Sequence, residues 1–187
     1  MSTLSDDLEI LEQMTTGMRD YLSSGSIYSK KIDRELMYLT LGGYLLRRHR
    51  LAALRDRLDA GQQARLSAAL EKFELLQRVQ GGDVARKALQ ELQARLREWE
   101  QALTELFDGR PSLAIYRNDV EKRAMIEALV AELEQAGNLL KPELLSRRDR
   151  LDQRLRSRWQ AGEFLWPANY QAAYPPETFW WLYGEPV

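Results

Sequence analysis

Apolar residues recur every three or four positions along most of this chain, which is the spacing of an amphipathic helix. In the first such block, from Leu4 to Leu22, the spacing places one apolar stripe along the predicted helix. Its members are Leu4, Leu8, Leu11, Met18 and Leu22. The polar stretch from Ser23 to Ser26 contains a glycine and predicts the end of this helix.

A second helix is predicted from about Ser29 to Asp59. Its run from Leu36 to Leu46 is apolar on nearly all sides, which indicates a central helix that neighbours cover from several directions. Gly42 and Gly43 lie inside this run. Paired glycines at such a position predict either a close helix crossing or a kink.

A third helix is predicted to end near Gln80, where Gly81 to Asp83 predicts a turn with Asp83 as the N-cap. The next block alternates apolar spacings of three and four, the a and d positions of a heptad. These residues are Leu89, Leu92, Leu96, Trp99, Leu103 and Leu106. Because the repeat covers less than three heptads, we expect a coiled-coil-like antiparallel hairpin inside a bundle.

Two more helices are predicted, from about Ile115 to Gln135 and from Pro142 to about Ala161. Alternating β-branched runs and tight hairpin turns are almost missing, so the predicted fold is all-α. We expect an antiparallel bundle of about five to six helices over residues 1–162. Residues 163–187, called the strap below, are expected to form an extended C-terminal segment that packs on the bundle or on a partner.

The strap is unusually rich in rings, since eight of the chain's seventeen aromatic residues follow Gly162. Disordered segments are poor in aromatic residues, so we expect an ordered segment, and its four prolines favour extended or turning backbone. Two placements stay open. The strap either fills grooves on its own bundle, or it docks onto another chain with Trp180, Trp181 and Tyr183 as anchors.

Composition narrows the chemistry that this chain can perform. The absence of cysteine excludes disulfides, thiolate metal sites and a cysteine nucleophile. The single histidine, His49, cannot supply the paired Glu-x-x-His motifs of a di-iron bundle, and three neighbouring arginines leave it no adjacent carboxylate. No glycine-rich phosphate-binding motif is present. The sequence therefore suggests no cofactor and favours a non-enzymatic role.

The charge and hydropathy patterns bear on partners and location. The net charge is −1, which provides no global attraction for nucleic acid or an anionic membrane. The longest apolar run, Leu36 to Leu46, is much shorter than the roughly 20 residues of a membrane-spanning helix. The polar, acidic N-terminus does not resemble a signal peptide. We therefore expect a cytoplasmic protein that binds other proteins or its own copies, and neither membrane nor nucleic acid.

Two clusters are candidate binding surfaces. Arg147, Arg150, Arg154 and Arg158 step by 3, 4 and 4 positions and share one face of the last predicted helix. Such a face can grip the carboxylates of an acidic partner, or phosphates, or it can be a solvated helix surface whose arginine stems cover apolar neighbours.

The second cluster surrounds the paired glycines. Rings and glycines together can form a small-molecule pocket, here lined by Tyr38, Gly42, Gly43, Tyr44 and Arg47. Tight packing of a central helix would produce the same pattern.

Two functions from different classes remain open. The first is a non-enzymatic helical adaptor or assembly protein that binds protein partners through the arginine face and the strap. The second is a helical protein that binds a small molecule or a phosphate ligand near Gly42 and Gly43, and that could be an enzyme.

Overall fold

The computed structural model describes residues 3–28, 31–32, 37–109, 112–137 and 140–187. These residues form five α-helices: α1 (Leu4–Ser23), α2 (Leu41–Ala53), α3 (Ala60–Asp108), α4 (Leu113–Gln135) and α5 (Pro142–Arg156). Four short strands pair as two antiparallel sheets, β1 (Lys31–Ile32) with β2 (Met37–Tyr38), and β3 (Trp159–Phe164) with β4 (Tyr183–Pro186). Short 3-10 helices of three or six residues cover Arg55–Arg57, Ala168–Ala173 and Trp180–Leu182. The fold is an all-α bundle, as the sequence predicts.

The second predicted helix begins later than its apolar pattern suggests, at Leu41 rather than near residue 29. Thr40 takes an extended backbone conformation, and its hydroxyl accepts the Gly43 N–H at 3.0 Å, so Thr40 is the N-cap. A β-hairpin, β1 with β2, stands where the sequence predicts helix. The positions 29–30 and 33–36 of that prediction lie outside the described residues.

The predicted helix end near Gln80 is confirmed in part, because two helical segments of α3 meet there at a kink. The predicted turn at Gly81 to Asp83 is wrong, because these residues are helical. The backbone of Gln80 leaves helical geometry (φ −127°, ψ 32°), whereas the glycines after it remain helical. Asp83 is not an N-cap, and its carboxylate pairs instead with Arg86 one turn later, at 2.8 Å. Glycine weakens a helix without forbidding it, so tertiary packing decides whether the helix ends there.

The heptad positions lie where the sequence predicts them. Leu92, Leu96, Trp99, Leu103 and Leu106 are all buried, and Leu89 packs against the same core. A short connection joins α3 to α4, and these two helices share the most extensive contact between elements. The later part of α3 and α4 therefore form a helical hairpin, whose apolar seam belongs to the core of the bundle.

The last helix ends at Arg156, five residues before the predicted end, because the chain then enters a strand. Strand β3 pairs with β4 in the register Trp159 with Pro186 and Ala161 with Gly184. Gly184 has φ +150°, and a Cβ there would lie 2.2 Å from the Gln160 carbonyl oxygen, so only glycine fits. Position 162, where the sequence divides bundle from strap, thus lies inside β3.

The strap packs on the helices in this structure. Tyr170, Tyr174, Phe179, Trp181 and Leu182 are buried and belong to the same apolar cluster as the helical core. In the part of the chain that the structure describes, no helix combines the length and the apolarity needed to cross a membrane.

The N-terminus of α2 is buried, and side chains satisfy its free N–H groups. The Gly42 N–H donates to the Glu91 carboxylate of α3 at 2.9 Å, and the Leu41 N–H donates to the Tyr21 hydroxyl at 3.3 Å. A Cβ on Gly42 would lie 2.8 Å from Glu91 Oε1 and 3.3 Å from a methyl group of Leu129. Of the two sequence interpretations of the paired glycines, close approach is therefore correct.

Gly42→Ala is expected to lower the free energy of unfolding by about 1–3 kcal/mol, because the added methyl group overpacks against Glu91 and Leu129. Gly81→Ala is the matched control. A Cβ at Gly81 meets no atom within 4 Å, so this change should be neutral or stabilise by up to about 1 kcal/mol. Urea unfolding followed by circular dichroism measures both changes, and equal midpoints for the two variants would contradict the close approach.

Candidate functional site

A buried arginine on α2 connects three parts of the molecule. Arg50 Nη1 donates to the Asp7 carboxylate of α1 at 2.7 Å, and Arg50 Nε donates to the Tyr174 hydroxyl of the strap at 3.1 Å. The guanidinium also lies 4.0 Å from the ring centre of Tyr170 and 5.6 Å from that of Trp166. Arg50 therefore holds the strap on the first two helices through one ion pair, one hydrogen bond and cation–π contacts.

The protonation states of Arg50 and Tyr174 favour this contact. Burial lowers the pKa of Arg50, but the Asp7 charge and the hydrogen bonds to Asp7 and Tyr174 outweigh burial and raise it above its usual range. Burial also raises the pKa of Tyr174 to about 12, so its hydroxyl remains neutral. The guanidinium thus stays charged, and the hydroxyl keeps its proton, throughout the ordinary pH range.

A second buried arginine, Arg123 on α4, holds the other end of the strap. Its guanidinium donates to both carboxylate oxygens of Asp152 on α5, at 2.7 and 2.8 Å, and to Glu127 at 2.9 Å. The ring centre of Trp181 lies 3.8 Å away, and the Tyr116 hydroxyl donates to the Trp181 carbonyl at 2.7 Å. Arg123 therefore joins α4, α5 and the strap.

The aromatic residues that the sequence proposes as partner anchors lie against this chain's own helices. Trp181 is only 2 % exposed, and Trp180 is half-buried with the Arg156 guanidinium 3.8 Å from its ring centre. The Tyr183 hydroxyl donates to the Tyr174 carbonyl at 2.7 Å. A partner that used these rings would first have to displace them from the bundle.

The arginine face of α5 lies partly against α3. Arg147 pairs with Glu100, Arg154 donates to the Thr104 hydroxyl at 2.9 Å, and Arg158 donates to the Phe107 carbonyl at 3.3 Å. Arg150 is exposed and makes no ion pair or hydrogen bond with any described residue. Arg158 lies two residues beyond the end of α5, so the predicted helix face loses its last member. Arg147 and Arg154 support the contact between α5 and α3, and Arg150 faces solvent.

The structure brings together three of the five residues of the predicted pocket near the paired glycines. Tyr38, Gly43 and Arg47 line a cavity of about 280 Å³. Its other lining residues are Met14, Tyr28, Thr40, Arg95, Glu121 and Met125. The remaining two predicted residues face elsewhere: Gly42 lies against Glu91, and the Tyr44 ring packs on Phe73 with centres 4.5 Å apart.

Both cations of this small cavity already have anionic partners. Arg47 lies 3.6 Å from the Asp7 carboxylate, and Arg95 contacts Glu91 at 3.2 Å and Glu98 at 2.9 Å. Burial raises the pKa of Glu91, although the Arg95 guanidinium and the Gly42 N–H oppose that effect. A ligand in this cavity would therefore meet arginines that are already neutralised, together with the carboxylate of Glu121.

A larger concave surface, called the central groove below, lies between α2, the early part of α3, α4 and the strap. Its volume is about 670 Å³ and its lining is mostly apolar. The apolar lining consists of Leu45, Leu46, Ala52, Leu70, Phe73, Ala124, Ala128, Ala131, Pro175 and Phe179. The polar lining consists of Arg48, His49, Glu74, Gln77, Glu127, Gln135 and Thr178.

Three polar side chains at the edge of the groove form hydrogen bonds within the chain. Arg48 Nη2 donates to the buried Glu132 carboxylate at 2.8 Å, and the Gln77 amide donates to the same carboxylate. His49 Nε2 is 2.7 Å from the Ala173 carbonyl, so the ring links α2 to the strap. A second cavity of about 490 Å³, around Gly81, Gly82 and Glu132, shares Gln77 and Gln135 with the central groove.

Sequence reasoning did not find this groove, although one signal for it exists. Ala124, Ala128 and Ala131 are spaced by 4 and 3 positions, so they share one face of α4 and line the groove together. Small side chains on a shared face leave room beside a helix. The other walls come from α2, α3 and the strap, which are distant in sequence, so their meeting cannot be inferred from local patterns.

The described residues contain no group of three or more histidine, aspartate and glutamate side chains placed to hold a metal ion. His49, the single histidine, uses its Nε2 on a backbone carbonyl. Comparison with known proteins finds no matching family model, no matching curated protein and no matching solved structure. The geometry of the chain itself therefore carries the functional argument.

Arg123→Met is expected to lower the free energy of unfolding by about 3–5 kcal/mol, because it leaves the Asp152 and Glu127 carboxylates without their buried partner. Arg150→Met is the matched control on the exposed arginine and should change stability by less than about 0.5 kcal/mol. Urea unfolding followed by tryptophan fluorescence compares the two. Similar losses from both variants would show that Arg123 does not hold the strap.

Proposed function

We propose that this protein is a non-enzymatic helical adaptor that binds a segment of a partner protein in the central groove. One observation carries the proposal: a mostly apolar concavity of about 670 Å³ lies between helices at the surface of the bundle. Apolar surface that remains open on a folded chain is a common mark of an interaction site. Grooves between helices are also frequent binding places for the apolar face of a partner.

The strap supports this function in a way that differs from the sequence-based hypothesis. Pro175, Thr178 and Phe179 form part of the groove wall, whereas Trp181 lies buried against Arg123. The aromatic anchors therefore serve a partner indirectly, because they hold the turn that shapes its binding surface.

Selection from a library of random displayed peptides tests the proposal. The native chain should enrich peptides, and Ala128→Trp should abolish their binding because the indole fills the groove. Ala114→Trp is the matched control, since it places the same ring on an exposed site of α4 that does not line the groove. The proposal fails if no peptide is enriched, or if both tryptophan variants bind the selected peptides equally well.

A second candidate function is binding of a small anionic ligand in the cavity of about 280 Å³ beside Gly43. The specific observation in its favour is that Tyr38, Gly43 and Arg47 line this cavity together with Arg95 and Thr40. Guanidinium groups and hydroxyls are suitable donors for a phosphate, but Arg47 and Arg95 already pair with carboxylates of this chain. The carboxylate of Glu121 in the same lining opposes an anion.

This second candidate predicts that inorganic phosphate raises the melting temperature of the protein in a concentration-dependent way. Glu121→Gln should enlarge the shift, because it removes a negative charge from the cavity. Glu134→Gln, at an exposed position outside the cavity, should leave the shift unchanged. Differential scanning calorimetry measures the shift. No effect of phosphate, or equal effects in all three proteins, would remove this candidate.

A further inference from the structure

We propose that the occupant of the central groove is an amphipathic helix of about three turns that carries basic residues beside its apolar stripe. This inference rests on the proposed function and names the class of partner for the same site. Three independent features lead to it: the nature of the groove walls, their length and shape, and the charge along their rims.

The walls of the groove favour a helical occupant over an extended one. They are formed by α2, α3 and α4, whose backbone groups are engaged within the helices, and by a turn of the strap. None of the four described strands contributes a residue to the groove. An extended peptide would therefore bury backbone N–H and C=O groups without partners, whereas a helix satisfies its own.

The length and shape of the groove set the size of that helix. Its lining on α4 reaches from Ala124 to Gln135, and its lining on α3 reaches from Leu70 to Gln77 and continues in the adjoining cavity beyond the kink at Gln80. At 1.5 Å per residue the α4 wall is about 17 Å long, which corresponds to three helical turns, and the α3 wall of the groove itself is about 10 Å long. The alanines on α4 allow close approach, and Leu46, Leu70 and Phe73 offer apolar contacts for residues at i, i+3 or i+4, and i+7.

The charge along the groove favours a basic partner. Glu74 and Glu127 line the two helical walls, and Glu71 and Glu134 lie one or two turns away on the same rims. The cations nearby are largely used within the chain. Arg48 pairs with the buried Glu132, Arg123 pairs with Asp152 and Glu127, and Arg78 lies 3.7 Å from Glu74 at an exposed site. The rim carboxylates that make no ion pair with a described residue are therefore the exposed Glu71 and Glu134.

This local excess of carboxylates does not follow from the net charge of the chain, which is only −1. Lysine or arginine residues beside the apolar stripe of a partner would therefore meet complementary charge along both walls. Exposed pairs of this kind contribute mainly to specificity and association rate, and salt screens them.

Three synthetic peptides of fourteen residues test the inference by fluorescence anisotropy with the full chain. The first is an amphipathic helix with lysines beside a leucine stripe, the second has glutamate in place of every lysine, and the third is the lysine peptide with a central proline. At low salt we expect the lysine peptide to bind at least about tenfold more tightly than the other two, with the charge preference shrinking as salt is raised. Ala128→Trp should abolish this binding.

Matched variants of the rim separate charge from shape. Glu71→Gln together with Glu74→Gln should weaken the lysine peptide several-fold, and Glu143→Gln, on the exposed start of α5, should not. Tighter binding of the glutamate peptide, or equal binding of the proline peptide, overturns the inference. If random peptides are selected at the groove but are neither helical nor basic, the inference fails while the proposed function stands.

Two other occupants are further outcomes of the same experiment. If the chain forms a dimer that Ala128→Trp dissociates, as sedimentation would show, the occupant is a second copy and the inference is wrong. If decanoate binds in a way that Ala128→Trp prevents while none of the peptides binds, the groove serves a small amphiphile, and both the inference and the adaptor function fall.

Discussion

The ion pair between Arg50 and Asp7 is the contact on which the placement of the C-terminal strap depends. It joins α1 to α2, and the same guanidinium donates a hydrogen bond to the Tyr174 hydroxyl and lies against the ring of Tyr170. Removing two charges from water is costly, so a buried pair of this kind is weak evidence for net stability. The pair matters mainly for geometry. Asp7 fixes the orientation of the Arg50 guanidinium, and the guanidinium in turn positions Tyr170 and Tyr174 of the strap.

A second arginine repeats this arrangement at the other end of the strap. Arg123 binds Asp152 through two parallel hydrogen bonds and lies against the face of Trp181. Guanidinium is more weakly hydrated than ammonium and stacks on aromatic faces, which suits it to a site between a carboxylate and a ring. The concentration of aromatic residues at the end of this chain thus has a structural explanation, since the rings pack on the buried cations of a charge-rich bundle.

The sequence predicted those features that depend on local periodicity. The helical hairpin of α3 and α4 follows from its heptad pattern, because one apolar face needs one covering helix. The start of α2 could not be predicted from periodicity, since the Gly42 N–H at its N-terminus donates to Glu91, which lies 49 positions further along the chain. The turn predicted at Gly81 and Gly82 is wrong because a glycine pair permits a turn without requiring one, and here the backbone stays helical at both residues. The arginine face of α5 showed its periodicity, whereas its partners Glu100 and Thr104 belong to another helix.

The central groove could not be predicted from the sequence for the same reason. Its walls come from four separate segments, and Arg50 and Arg123 contact the strap on either side of the turn that includes Phe179. If a partner binds in the groove as we propose, its binding and the docking of the strap are thermodynamically linked. A partner that contacts Phe179 binds only the form in which the strap is docked, so its binding stabilises that form, and loosening the strap weakens its affinity. Residues that never touch the partner would then influence its binding, because they maintain the wall against which it packs.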